Sequence, residues 1–207
     1  NVTAVMSWLR YHVEERTMEL SGGVTPATGR PNPVRIYQNS SMLTAPYVMA
    51  IHDLNNQIQT IECRGPGRIE PSDSPSAPAR SEEENTFNAT WTESLAIRQS
   101  PNHSIILQGN ATISQTNGAN GSPGMSLSSD VIEMTGTQSP EVASNGVGSE
   151  NPSQKSGPDL SRISPKELVA TGNVTMTHKD VTGHVRQKLS VKFLEAIGRT
   201  EPQKIKA

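Results

Sequence analysis

Apolar residues in this chain recur at every second position in short runs, the period of strands that bury one face. Phe87, Ala89, Trp91, Leu95 and Ile97 share a face, interrupted there by Glu93, while Asn88, Thr90, Thr92, Ser94 and Ala96 take the other. Leu43, Ala45, Tyr47, Met49 and Ile51 alternate in the same way. Pro46 lies within that run and has no N–H to donate, which marks an edge strand or a bulge. Leu189, Val191 and Phe193 alternate with Ser190 and Lys192. Asn1–Glu15 and Phe193–Ile197 carry a weak helical reading instead.

One phrase is repeated. "IILQGNATI" (Ile105–Ile113) returns as "LVATGNVTM" (Leu168–Met176), with weaker relatives in "TMELSGGV" (Thr17–Val24) and "TIECRGPGRI" (Thr60–Ile69). Aligned on Gly22, Gly65, Gly109 and Gly172, each puts apolar residues two and four positions earlier: Met18 and Leu20, Ile61 and Cys63, Ile105 and Leu107, Leu168 and Ala170. A strand that enters apolar, passes a glycine and continues is a bent strand, because glycine tolerates a bulge or corner that other residues resist. Alternating runs follow at Leu43–Ile51, Leu127–Met134 and Val185–Phe193. The expectation is an all-β chain of stacked antiparallel strands, a jelly roll or a solenoid, whose units bury their apolar face on a neighbour.

Composition narrows the function classes. The chain has 207 residues, 32% hydrophobic and 3% aromatic, which allows one or two domains and argues against a large core. Its 18 basic and 20 acidic residues leave a net charge of -2, with no basic block to hold phosphates, so nucleic acid is not the expected partner. The single Cys63 cannot close an internal disulfide, and no apolar run approaches the roughly 18 residues that span a bilayer. The chain starts at Asn1 with neither a basic leader nor an apolar signal core, and a preceding segment is expected to have been removed. Pro71–Asn85 and Thr135–Ser164, rich in Pro, Ser, Gly and Asn, read as a linker and a long excursion; Thr116–Gly124 and Thr25–Pro33 read as loops.

Candidate chemistry is sparse. His12, His52, His103, His178 and His184 lack metal-ligand spacing, and Cys63 on the inward face of its strand reads as a small buried hydrophobe. Glu82–Glu84 read as a solvated run, and neither Glu14 with Glu15 nor Asp130 with Glu133 forms a recognisable acid/base pair. No phosphate loop, nucleophile elbow or zinc-protease helix occurs. No enzyme, cofactor or metal is expected. Sequons at Asn1, Asn39, Asn88, Asn102, Asn110 and Asn173 admit a glycosylated extracellular domain, although the repeated kink already accounts for Asn110 and Asn173.

The succession "IILQGNATI … MSLSSDVIEM", then "ELVATGNVTM … HVRQKLSVKF", resembles the OstA-like fold of lipopolysaccharide transport, of the LptA and LptC type. Ser129-Asp130-Val131-Ile132 stands at that family's step from a small residue and Asp into a strand, and "TIECRGPGRIE" resembles its turn and rising strand. The resemblance covers Arg16–Glu70 and Phe87–Glu195; the long insertions depart from the compact strand succession of a stand-alone bridge protein. It implies an open jelly roll with one OstA-like unit over residues 1–70, a linker over 71–86, further units over 87–197 with an insertion at 135–164, and a tail over 198–207. It also implies a periplasmic or cell-envelope location, a lipopolysaccharide or similar acylated lipid as cargo, and other OstA-like modules as partners through edge strands. The lipid groove would be lined from the first unit by Leu20, Val34, Ile36, Leu43, Ile61 and Ile69. Ile105, Leu107, Ile113, Leu168, Val174, Met176, Leu189 and Val191 would line it from the later units. The same residues are also what a thin β stack with a closed core would use, its free edges then pairing with other β modules.

Overall fold

The computed structural model describes residues 2–24, 29, 32–38, 41–72, 86–99, 103–117, 122–138, 163–178, 181–196 and 199–206. These are almost entirely strand. In chain order they are β1 (Val2–Val5), β2 (Trp8–His12), β3 (Thr17–Ser21), β4 (Val34–Gln38), β5 (Ser41–Ala45) and β6 (Tyr47–His52). Then come β7 (Ile58–Arg64), β8 (Gly67–Pro71), β9 (Thr86–Trp91), β10 (Ser94–Arg98), β11 (His103–Asn117) and β12 (Ser122–Gln138). The last are β13 (Ile163–Thr171), β14 (Val174–His178), β15 (Val181–Val185), β16 (Lys188–Ala196) and β17 (Arg199–Lys206).

All pairings are antiparallel and join the strands into one 17-stranded sheet, which divides into two wings. The first wing runs β1-β4-β5-β8-β9-β11-β12-β14-β15. The second runs β2-β3-β6-β7-β10-β11-β12-β13-β16-β17. Only β11 and β12 pair in both. β1, β5, β7, β9, β13 and β15 each pass into the other wing through a break of one or two residues, so much of the sheet is a meander of long strands bent along a common spine.

That spine is where the sequence puts its glycines. Gly65, Gly109 and Gly172 have φ of +80°, +79° and +100°, the left-handed region that costs other residues a clash of Cβ with the following carbonyl. Asn110 joins them at +42°. Backbone groups freed by the bends pair along the spine: the N–H groups of Gly65 and Gly172 donate to Glu93 O and Gln187 O at 2.7 and 2.9 Å. Thr92 and Glu93 donate to Gly109 O and Gln108 O at 2.7 and 3.1 Å. The corner therefore loses little hydrogen bonding, which is what allows so many strands to turn at one line.

The bends change the phase of the alternation at particular points. Leu43 and Ala45 face inward, but beyond Pro46 the inward residues are Val48 and Ala50, while Tyr47, Met49 and Ile51 are only half-buried. A single-residue break flips the face, so the unbroken run expected from Leu43 to Ile51 is two strands of opposite phase. Across the two-residue breaks at Gly65-Pro66, Thr92-Glu93, Gly109-Asn110 and Gly172-Asn173 the phase is kept. The weak helical readings are also replaced: Val2–Val5 and Trp8–His12 are strands β1 and β2, and Phe193–Ala196 ends β16. As the outermost strands, β1 and β2 are half-solvated on both faces and carry apolar residues without clean alternation, which blurred their period.

The segments read as insertions fall largely outside the described residues. Pro71 closes β8 and Ser72 is buried, whereas residues 73–85 lie beyond the described part. Thr135–Gln138 and Ile163–Ser164 extend β12 and β13 into the expected excursion, of which 139–162 lie outside. Thr116 and Asn117 likewise end β11, and residues 199–206 pair with β16 as β17. Strands on either side of 73–85 pair directly, β8 with β9 and β7 with β10.

Candidate functional site: an apolar interior accessible at its edges

Cross-strand register lines the inner residues into rows. In the second wing one row runs Leu9, Leu20, Val48, Cys63, Leu95, Leu107, Ile132, Ala170, Leu189, each opposite the next. The row beside it begins with Tyr11 and Met18 and continues through Ala50, Ile61, Ile97 and Ile105 to Leu168 and Val191. In the first wing Ala4, Ile36, Leu43, Ile69, Ala89, Ile113, Leu127 and Met176 form a third. Aligned aliphatic pairs of this kind are the unit of sheet stabilisation, and here they make continuous greasy stripes along both wings.

Every residue expected to line the interior lies on these inner faces, or, for Val34 and Val174, in the row nearest the spine. They meet in one cluster. Leu20, Val34, Leu43, Ile61, Ile69, Ile105, Leu107, Ile113, Leu168, Val174, Leu189 and Val191 are at most 9% exposed, and Ile36 and Met176 pack against them half-buried. In this structure the wings close on each other through the middle of the molecule. The interior is a packed core there, and the aliphatic stripes become accessible toward the outer edges of the sheet.

One such edge is the side of β1 and β2. Leu9 and Tyr11, which open the inner rows of the second wing, are 54% and 44% exposed, and Val2 on β1 is 44% exposed. At the other end of the same rows Leu189 and Val191 stay buried, with β17 paired beyond them. The apolar interior thus has a mouth at the β1/β2 edge, where backbone N–H and C=O groups also lack a further strand among the described residues, and a second exposed apolar side chain at the opposite edge of the first wing, where Val181 of β15 is 72% exposed. Sequence reasoning missed Leu9 and Tyr11, whose alternation within β2 was lost among the neighbouring Trp8 and Val13.

The middle of the spine is braced by Trp91. Its indole N–H donates to Gly65 O at 3.0 Å, and its ring lies over the α-carbon of Gly67, its cross-strand partner. A Cβ on Gly67 would come within 2.6 Å of Thr44 O and 2.7 Å of the Trp91 ring, so only glycine fits under the indole. Toward β14, Gly172 lies against the Asp130 carboxylate, which accepts the Asn173 N–H at 3.4 Å; this is the small-residue–Asp step singled out in the sequence.

The outer face is polar and carries local ion and ring contacts. Tyr47 donates to Glu19, and burial followed by that carboxylate raises the phenol pKa against the smaller opposing pull of Arg64 and Arg10. Arg64 lies over the Tyr47 ring and Arg10 over Trp8, at 5.5 and 5.7 Å. Asp53 folds the β6–β7 turn by accepting the N–H groups of Gln57 and Asn55, both at 2.8 Å, and these bonds hold its carboxyl below the usual range. Cys63, 1% exposed, has its thiol pushed up to about 12, chiefly by burial and then by nearby Glu62, which suits a packing residue rather than a nucleophile. Among the described residues no three His, Cys, Asp or Glu side chains cluster as metal ligands; His184 instead contacts Thr175 Oγ1 at 3.0 Å.

Fold and interior together define a bent, all-β jelly-roll module with an aliphatic lining. Among solved structures the chain is similar to LptH, the LptA homologous periplasmic component of the conserved lipopolysaccharide transport device from Pseudomonas aeruginosa. The two share 13% identity over 72% of this chain and 90% of that one, with a TM-score of 0.45, a likeness too low to carry a functional argument. No family model matches the chain, and no curated protein is similar to it.

Proposed function

We propose that this chain is a non-enzymatic envelope module that takes acyl chains of a lipid between its wings. The observation that carries the reading is the continuity of the inner aliphatic rows from the packed centre to the exposed Leu9 and Tyr11 at the mouth. An acyl chain entering there meets aliphatic side chains of similar width on both wings, and each methylene taken out of water contributes roughly 0.8 kcal/mol. The sequence resemblance supplies the cargo class, lipopolysaccharide or a similar acylated lipid, and with it a periplasmic location and transport to, or assembly in, the outer membrane. Partners would be other β modules that extend the sheet at its free edges.

A photoreactive residue at Leu9, a second at Leu107 and a control at the outward Gln108 test this in cells. Lipid adducts at Leu9 and Leu107 but not at Gln108 are the expected result. Protein adducts at Leu9, with no lipid at any position in a folded protein, would replace this reading with a second one. That reading is a structural module whose core stays closed and whose β1 and β2 edges pair with another chain; the burial of the central rows favours it.

A further inference from the structure

The inner rows are aliphatic beside the spine, but the inner positions farthest from it are largely polar. In the first wing Gln38, Gln115 and His178 stand two residues beyond Ile36, Ile113 and Met176. In the second, His52 and Gln99 stand two residues beyond Ala50 and Ile97, and His103 stands two before Ile105. Strand alternation turns all six toward the interior. The His52 ring accordingly meets Tyr11 of the neighbouring inner row edge-on, with 6.2 Å between centroids. His103 and Gln115 lie on the two arms of one bent strand, β11, so the two wings carry matching polar lips on either side of the interior. Contact with water at strand ends does not account for these lips. Outward positions at the same level of the sheet carry full charges, Arg98 on β10, Glu70 on β8 and Glu167 on β13, whereas the six inward ones hold only amides and imidazoles. Five of the six are half-buried. The Gln99 amide nitrogen is sealed from water with no hydrogen-bond partner among the described residues, a loss of about 1–3 kcal/mol that an acceptor placed there would relieve.

We propose that these lips hold the polar linkage of an acylated lipid, the ester, amide and hydroxyl groups that join its chains to its head, while the chains lie on the aliphatic rows between lips and spine. This rests on the acyl-chain reading above and deepens it by naming the part of the lipid that the protein recognises. A glutamine amide offers both a donor and an acceptor, which match a carbonyl and a neighbouring hydroxyl of such a linkage. No Lys or Arg occupies any of the six positions, so the lips lack the fixed cations that a phosphate would call for. Gln99 and Gln115 are the central pair, on β10 and β11 of opposite wings, where the aliphatic rows between them are most deeply buried.

The test titrates the full chain with lauroylglycerol and with dodecyltrimethylammonium, both below the concentrations at which they form micelles. Their chains are of equal length, but only the first carries an ester and hydroxyls; the second has no hydrogen-bonding group and reports on the aliphatic rows alone. Native protein is compared with Gln99→Leu and Gln115→Leu, which keep size and charge but remove the amide, and with Ser114→Ala, an outward neighbour of Gln115. Each lip variant is expected to weaken lauroylglycerol about two- to tenfold, the worth of one neutral hydrogen bond, and to leave dodecyltrimethylammonium unchanged. Ser114→Ala is expected to alter neither. Both probes binding native and variant chains alike would overturn the lips and leave the acyl-chain reading standing. Lauroylglycerol weakened by the lip variants, with dodecyltrimethylammonium not bound at all, would keep the lips and remove the rows as a chain site. Neither probe binding a folded native chain would remove both. A Gln99 with only a structural role would raise the unfolding midpoint in Gln99→Leu, since its unpaired amide is gone, without changing the ratio of the two affinities, and that result counts against the lips. Should Gln99→Leu fail to fold, Gln115→Leu decides alone.

Discussion

Trp91 reaches across the bend of the sheet to Gly65, its indole N–H 3.0 Å from that carbonyl, and its ring fills the space that a side chain on Gly67 would need. The largest fully buried side chain of the protein is thus spent on the corner rather than on the middle of a wing. Gly67→Ala should therefore destabilise well beyond its small change in volume, because backbone at Thr44 stands on the other side and cannot yield. Overpacking of this kind costs about 1–3 kcal/mol, and chemical denaturation with native and variant chains side by side measures it. A variant as stable as the native chain would show that the indole is not held where the structure puts it.

Leu107 and Gln108 are neighbours on opposite faces, one fully buried and the other exposed. Leu107→Asp should cost on the order of 4 kcal/mol or more, since an unpaired carboxylate would have to be desolvated among aliphatic side chains, whereas Gln108→Asp should change stability by less than about 0.5 kcal/mol. Thermal melts of the two variants check both the facing of β11 and the packing of the centre. Similar, small effects would mean that the wings do not close over Leu107.

The kinks and the inner residues were legible because each has a local signature. Gly65, Gly109 and Gly172 stand two residues beyond an alternating apolar pair, and a left-handed corner at the end of a half-buried strand demands that arrangement. Pro46 was legible as an irregularity but not as a change of face, since whether a break keeps or flips the phase depends on how many residues the corner uses. The closure of the wings was not legible at all. Leu107 looks the same in sequence whether it faces an acyl chain or aliphatic side chains of the other wing, and only the distance between two wings far apart in the chain separates a groove from a core. The mouth was hidden for a related reason: an outermost strand such as β2 has no neighbour to enforce clean alternation, so Leu9 and Tyr11 sit among Trp8, Arg10 and Val13 with no period to mark them.

The spine glycines should not be equally costly to replace. A positive φ alone penalises alanine by about 1–2 kcal/mol, and at Gly29, a reference position in the β3–β4 connection away from the spine, with φ +63° and no described atom within 4 Å of a Cβ, that is the whole expected effect. Gly65 adds a mild contact with Pro46 Cγ at 3.3 Å. Gly109 adds Thr92 Oγ1 at 2.6 Å and the Glu93 backbone nitrogen at 2.9 Å, and Gly172 would drive its Cβ into the Asp130 carboxylate. The alanine series should therefore rank Gly29 below Gly65, and Gly65 below both Gly109 and Gly172. Unfolding free energies for the four variants test the order, and a flat series would mean that conformation alone, not crowding at the spine, governs the bend.

Cys63 gives the fold an alkaline weakness with a definite sign. Burial pushes its thiol from the ordinary 9.0 up to about 12, so between those values the unfolded chain has lost the proton while the folded chain still holds it. Unfolding then releases a proton, and rising pH favours it: the contribution is fully present below about pH 9 and is lost progressively toward about pH 12. Native protein should lose stability over that window more steeply than Cys63→Ala, whose alanine leaves a small cavity but nothing to ionise. Denaturation midpoints for the two chains, taken in steps from neutral pH to about pH 11, separate the cases, because the cavity lowers the variant's curve by a constant while the thiol changes the slope. Parallel curves would place Cys63 in contact with water, and with it the row that joins Val48 to Leu95 across the centre of the second wing.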